Sequence, residues 1–170
     1  MSDRRLDRRL EVMAGEMRRA FDRTFTEAPS LGHDDVEDVL AIRLNGAPYA
    51  MRVRDVASVH ADRAIVPVPG PEPALLGLAG IRSVIAPVYD LRLLLGGVGG
   101  GAPRWIVRAR APQPIALAFD GFDGQHRVAR DRIVTGDGGA LVREQGGERM
   151  RPIVDMARVL ERVARLGGPR

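Results

Sequence analysis

The sequence predicts an all-β core of small barrels, with one helix before it and one after it. Three observations carry that expectation. From residue 38 the hydrophobic period shifts from 3.6 towards 2. Short apolar runs then recur about every ten residues, separated by turns rich in glycine, proline and asparagine. No helix-length stretch falls between these runs, so a barrel or sandwich is expected and a βαβ fold is not.

Residues 3–25 read as a helix, because Leu6, Leu10, Met13, Met17, Ala20 and Thr24 step by four and three, with Phe21 beside them. Three roles fit that stripe: packing on its own domain, binding or dimerising with another helix, or forming an extension without fixed structure. Residues 26–37 read as a linker, with Pro29, Gly32 and an acidic run. "VLAIRL" opens the β region and Asn45-Gly46 marks a tight turn. "YAMRVRDV" continues as a strand and then bends, and "RAIVPVP" is a short extended piece. "GPEP" is a loop, and residues 75–83 lead as a loop into the strand "SVIAPVY". Asp90 caps the helical turn "LRLLL", and "GGVGGGAP" follows as a flexible loop.

"RWIVRARA" and "IALAFD" are strands separated by Pro112-Gln113-Pro114, and "HRVAR", "RIVTG", "ALVRE" and "RMRPIV" follow them. Asp155 caps a last amphipathic helix, Met156 to Leu166, which Gly167-Gly168 stops. "APVYDLRLLLG" (86–96) echoes "RPIVDMARVLE" (151–161): each is a strand that ends in an Asp-capped helix. Two such endings about 65 residues apart point to two related β-subdomains.

Composition narrows the function. The chain has 170 residues and no cysteine, which excludes disulfides, thiolate metal sites and thiol catalysis. All 26 basic residues are arginine and the net charge is +4. With aromatics at 4%, that excess gives little support to nucleic-acid binding, which stays as a rival reading. No signal-peptide pattern and no run near the roughly 20 apolar residues of a membrane span occurs, so a soluble, cytoplasmic protein is expected, without membrane insertion. His33, His60 and His126 are scattered, with no metal spacing. "GVGGGA" (97–102) fits a dinucleotide pattern in letters only, since Pro103 and an extended segment stand where a helix N-terminus is required. Asp120 and Asp123 read as turn residues. No catalytic residue, metal site or cofactor is expected.

Arg82 is then the residue to explain, alone in "LLGLAGIRSVIAPVYDL". An unpaired buried charge is too costly. Either Arg82 pairs internally, Asp90 being one candidate, or it stands exposed on a rigid β-edge and faces a partner.

"VLAIRLNGAPYAMRV", "DVASV" and "VPVPGPEPALLGLAGIRSVIAPVYDLR" resemble the chemotaxis coupling protein (CheW) family in register from about Val39 to Arg92. "IALAFDGF" and "RPIVDMARVL" extend the similarity over about 38–165. The resemblance implies two SH3-like five-stranded β-barrels over 38–166, after an N-terminal extension and linker over 1–37. It implies a non-catalytic adaptor between the cytoplasmic helical hairpin of a chemoreceptor and the regulatory domain of a histidine kinase, recruited to membrane-associated receptor arrays. The receptor-facing groove of the family maps onto Val56, Ser58, Gly77 and Arg82, with Leu78 and Ser83 beside them, and Val56 and Leu78 are expected to offer apolar contact. Two positions depart: Ser58 stands where the family has glutamate, and Ser83 where it has glycine, so any positive φ at Ser83 would be strained. A divergent relative that no longer bridges, and self-association through the 3–25 helix, are the other readings.

Overall fold

Asn45 and Gly46 both adopt positive φ, 50° and 78°. That geometry matches the twist of the strands it joins, and it closes the hairpin of β1 (Val36–Leu44) and β2 (Ala47–Arg52). The computed structural model describes residues 36–136, 138–143 and 150–167, within a unit that begins at Val36. The expected helix over 3–25 and most of the linker lie outside the described residues; the last two linker residues belong to β1.

A 3-10 turn at Val53–Asp55 bends the chain into β3 (Val56–Ala61). Next come β4 (Leu75–Ile81), β5 (Val84–Asp90) and the one-turn helix α1 (Leu91–Leu94). They are followed by β6 (Trp105–Ala109), β7 (Ala116–Phe119) and β8 (Gly121–Ala129). The last strands are β9 (Ile133–Gly136), β10 (Gly139–Arg143) and β11 (Met150–Ile153), before the helix α2 (Met156–Leu166).

Two sheets result, ordered β8-β1-β2-β11-β10-β9 and β3-β6-β7-β5-β4. Their plans match. In each, one strand runs parallel to a neighbour and then enters an Asp-capped helix: β5 beside β7 into α1, and β11 beside β2 into α2. The echo between 86–96 and 151–161 is therefore a repeat of structure. The first sheet has six strands where five are expected; its extra edge strand, β9, pairs with β10 as Val66 bridges Leu78 of β4 in the second sheet. The main apolar core combines Ile42, Met51, Leu91, Leu117 and Phe119 with Met156, Val159 and Val163 of α2. Alternation along β1 and β7 puts these side chains inward.

Residues 75–81 form a regular strand, not a loop. Gly77 and Gly80 hid it from pattern reading, yet Leu78, Ala79 and Ile81 alternate exposed and buried as a half-buried strand requires. Gly77 sits at a register shift with φ +143°. A Cβ there would lie 2.1 Å from the Val66 carbonyl oxygen, which accepts from the Leu78 amide at 2.8 Å. Gly77→Ala must therefore push the 65–67 backbone off β4 or break the strand. The expected cost is about 2–3 kcal/mol, read by denaturant unfolding, with faster exchange of the Val66 and Leu78 amides.

The glycine-rich loop expected to be flexible is pinned. Gly97 N–H donates to the Arg92 carbonyl at 2.9 Å, and Asn45 Nδ2 donates to the Val98 carbonyl at 3.0 Å. Arg92 Nη2 donates to the Gly101 carbonyl at 3.2 Å. Asp120 and Asp123 are also more than turn residues. Asp123 joins Arg43 of β1 at 2.8 Å and Arg151 of β11 at 3.0 Å. These guanidiniums, Arg43 first, hold its carboxyl below the usual range. A carboxyl depressed in the folded state stabilises above its unfolded value, near 4, and that contribution is lost as pH falls through the lower folded value. Thermal midpoints measured against pH should fall more steeply below about pH 4 for the unchanged protein than for Asp123→Asn.

Candidate functional site

β3 and β4 stand at opposite ends of the second sheet's order, yet the chain brings them together. Only the segment from Ala61 to Val66 separates the end of β3 from the bridge to Leu78. Five residues span at most about 18 Å, so the sheet is rolled and its two edges approach. The site residues expected from sequence lie along this seam.

Ser58 is half-buried on β3 and bonds the His60 ring at 2.9 Å. Arg108 of β6 stands opposite Ser58 in the ladder. Ser58 and His60, two residues apart, share a sheet face with Arg108. Burial lowers the His60 pKa, and the guanidiniums of Arg63, Arg82 and Arg108 lower it further. Arg82, from the β4–β5 turn, thus lies within electrostatic reach of β3.

Arg82 and Ser83 are the two exposed residues of that turn, between the paired Ile81 and Val84. The positive φ falls on Arg82, at 55°, and not on Ser83. The strain expected of serine is therefore borne one residue earlier, at the first turn position, where glycine is favoured. Asp90, the internal partner considered for Arg82, is taken by Arg92 at 2.6 Å. Arg63, Arg82 and Arg108 form no ion pair among the described residues. Asp62, just past β3, pairs with Arg104 at 3.2 Å.

The remaining expected residues divide. Leu78 is 38% exposed and continues outward into Val66 at 64% and Ile85 at 71%, an apolar ridge on the β4–β5 hairpin. Gly80, opposite Ile85, leaves open space above the strand. Val56 does not join this surface: it is 6% exposed and packs in the main core, because its place on β3 points it inward. Gly77 acts through its backbone, letting Val66 close on β4. Sequence reasoning missed Arg63, Arg108 and the part played by His60. Arg108 reaches Ser58 only through a cross-strand pair 50 positions apart, which leaves no local signal.

The described residues contain no cluster of His, Asp or Glu able to hold a metal. No described helix is long and apolar enough to cross a membrane. What the β4–β5 hairpin offers is a ridge of apolar side chains with the Arg82 guanidinium at its end, a surface suited to docking another protein. The chain thus has the form of a double-barrel binding module.

The comparisons with known proteins place it further. The sequence model of the CheW-like domain matches residues 38–164, three-quarters of the chain, so the chain belongs to the CheW-like domain family, whose members are non-catalytic scaffolds. A segment of 56 residues is 38% identical to "Chemotaxis protein CheW" of Bacillus subtilis (strain 168); it spans 33% of this chain and 36% of that protein. The fold is similar to the crystal structure of the scaffolding protein TtCheW from Thermoanaerobacter tengcongensis. That likeness has a TM-score of 0.62 and 18% identity, covering 70% of this chain and 88% of that one.

Proposed function

We propose that this protein is a chemosensory adaptor that joins a chemoreceptor's cytoplasmic helical hairpin to the regulatory domain of a histidine kinase. The observation that carries the reading is the β3/β4 seam. Arg82 stands exposed and without an ion pair among the described residues, next to the apolar ridge of Val66, Leu78 and Ile85. An amphipathic helix is suited to such a surface: its apolar face covers the ridge, and a carboxylate or a helix-end carbonyl accepts from the guanidinium. Ser58, Leu78, Arg82 and Ser83 are the contact residues, while Gly77 and Val56 hold the backbone and core beneath them. Family membership and the match to a chemotaxis CheW protein support a kinase as the second partner.

Isothermal titration of the full chain against a purified receptor hairpin fragment, and separately against the kinase regulatory domain, tests the reading. Binding to both is expected. Binding to neither would leave the fold without this role.

A further inference from the structure

The seam carries more positive charge than its expected contacts require. Arg63 follows β3, Arg108 faces Ser58 from β6, and Arg82 tops the β4–β5 hairpin. All three guanidiniums act on the His60 imidazole, which bonds Ser58 at 2.9 Å. Asp62, adjacent in sequence to Arg63, is committed to Arg104. Where a carboxylate could have balanced the site, the chain has Ser58, which offers a hydroxyl and no charge. Like charges that have no ion-pair partner among the described residues repel one another, and a partner of opposite sign relieves that repulsion on binding.

We infer that this face selects an acidic helical surface on its protein partner, with Arg63 and Arg108 acting beside Arg82 as charge-selecting contacts. The inference rests on the adaptor reading and specifies the chemistry of the partner. Arg63 is exposed and Arg108 half-buried, so Arg63 steers the approach while Arg108 sits closer to the Ser58 hydroxyl. The apolar ridge next to Arg82 on the β4–β5 hairpin favours a helix face over a phosphate backbone. Among the described residues no Phe, Tyr or Trp is fully exposed to stack on bases: Tyr89 and Phe119 are buried, Tyr49 is half-buried, and Trp105 packs against Phe122 at 5.1 Å.

The test uses the unchanged full chain and two variants, Arg63→Glu/Arg108→Glu and, as a control, Arg158→Glu/Arg165→Glu. The control makes the same net charge change at two exposed positions of α2. The probes are a receptor hairpin fragment from the same organism, the same fragment with its surface glutamates changed to glutamine, and a 24-base-pair DNA duplex. Thermal midpoints within about 2 °C of the unchanged chain establish that the variants are folded. The expected result has three parts. The seam variant loses about tenfold or more in affinity for the hairpin, from roughly 1.4 kcal/mol or more. The glutamine hairpin loses as much with the unchanged chain, and the control variant binds normally. Hairpin binding that is equal for all variants overturns the charge selection and leaves the adaptor reading intact. Tighter binding of the duplex, lost in the seam variant, also overturns it. Failure of the unchanged chain to bind the hairpin overturns the adaptor reading, and the inference with it.

Discussion

Arg92→Ala is expected to lower the thermal midpoint by roughly 10–20 °C, from about 3–5 kcal/mol. Arg92 and Asp90 are 4% and 2% exposed. Asp90 Oδ1 caps α1 by accepting from the Arg92 amide at 2.9 Å. The same carboxylate takes two side-chain donors, Arg92 Nε at 2.8 Å and Nη2 at 2.6 Å. Nη1 then reaches Asp120 at 2.7 Å, and Asp120 also accepts from the Asn45 amide. One guanidinium thus links α1, the end of β7, the β1–β2 turn and the pinned loop, and so ties the two sheets together. Gly100 is part of the fit, since a Cβ there would lie 2.5 Å from both Arg92 Nη1 and Asn45 Oδ1. Removing the arginine leaves the Asp90 carboxylate buried without its countercharge, the costly case for an ion pair. Arg92→Lys recovers only part of the loss, because an ammonium cannot make the bidentate contact and reach Asp120 at once. A double-mutant cycle with Asp120→Asn should show coupling above about 0.5 kcal/mol.

Arg82→Gly is expected to do the opposite to stability and more to function. Arginine at φ 55° occupies a left-handed conformation that costs about 1 kcal/mol and that glycine adopts freely. The glycine variant should be as stable as the unchanged protein or more stable by up to about 1 kcal/mol, the glycine gain being offset by greater freedom in the unfolded chain. Its affinity for the receptor hairpin should fall about tenfold or more, the scale of losing one or more charge-assisted hydrogen bonds. A residue whose removal leaves the fold at least as stable while weakening binding is retained for the partner. If Arg82 served the fold, the variant would lose stability and binding together.

Much of this was legible in the sequence because it was local. Asn45-Gly46, Asp90 before "LRLLL", Asp155 before "MARVL" and the period-2 runs each carry their structure within a few residues. The register of the family motif singled out Arg82 as a contact and Leu78 as an apolar one, while the turn that holds Arg82 came from the structure. What was not legible depends on residues far apart in the chain. The strand Leu75–Ile81 looked like a loop because Gly77 is required by the Val66 carbonyl, a contact that no local pattern records. The loop at 96–101 looked free because its anchors, Asn45 and Arg92, lie outside it. Val56 looked like a contact residue because the family motif gives a position and not the direction of its side chain. Arg108 went unseen because it reaches Ser58 only through a cross-strand pair of the folded sheet.

An adaptor must hold two partners at once. Co-sedimentation of the kinase regulatory domain with receptor hairpins displayed on vesicles tests it most directly, with and without the full chain. The kinase domain should enter the pellet only when the chain is present, and Arg82→Gly should require about tenfold more chain for the same effect. A kinase domain that stays in the supernatant at saturating chain would contradict it.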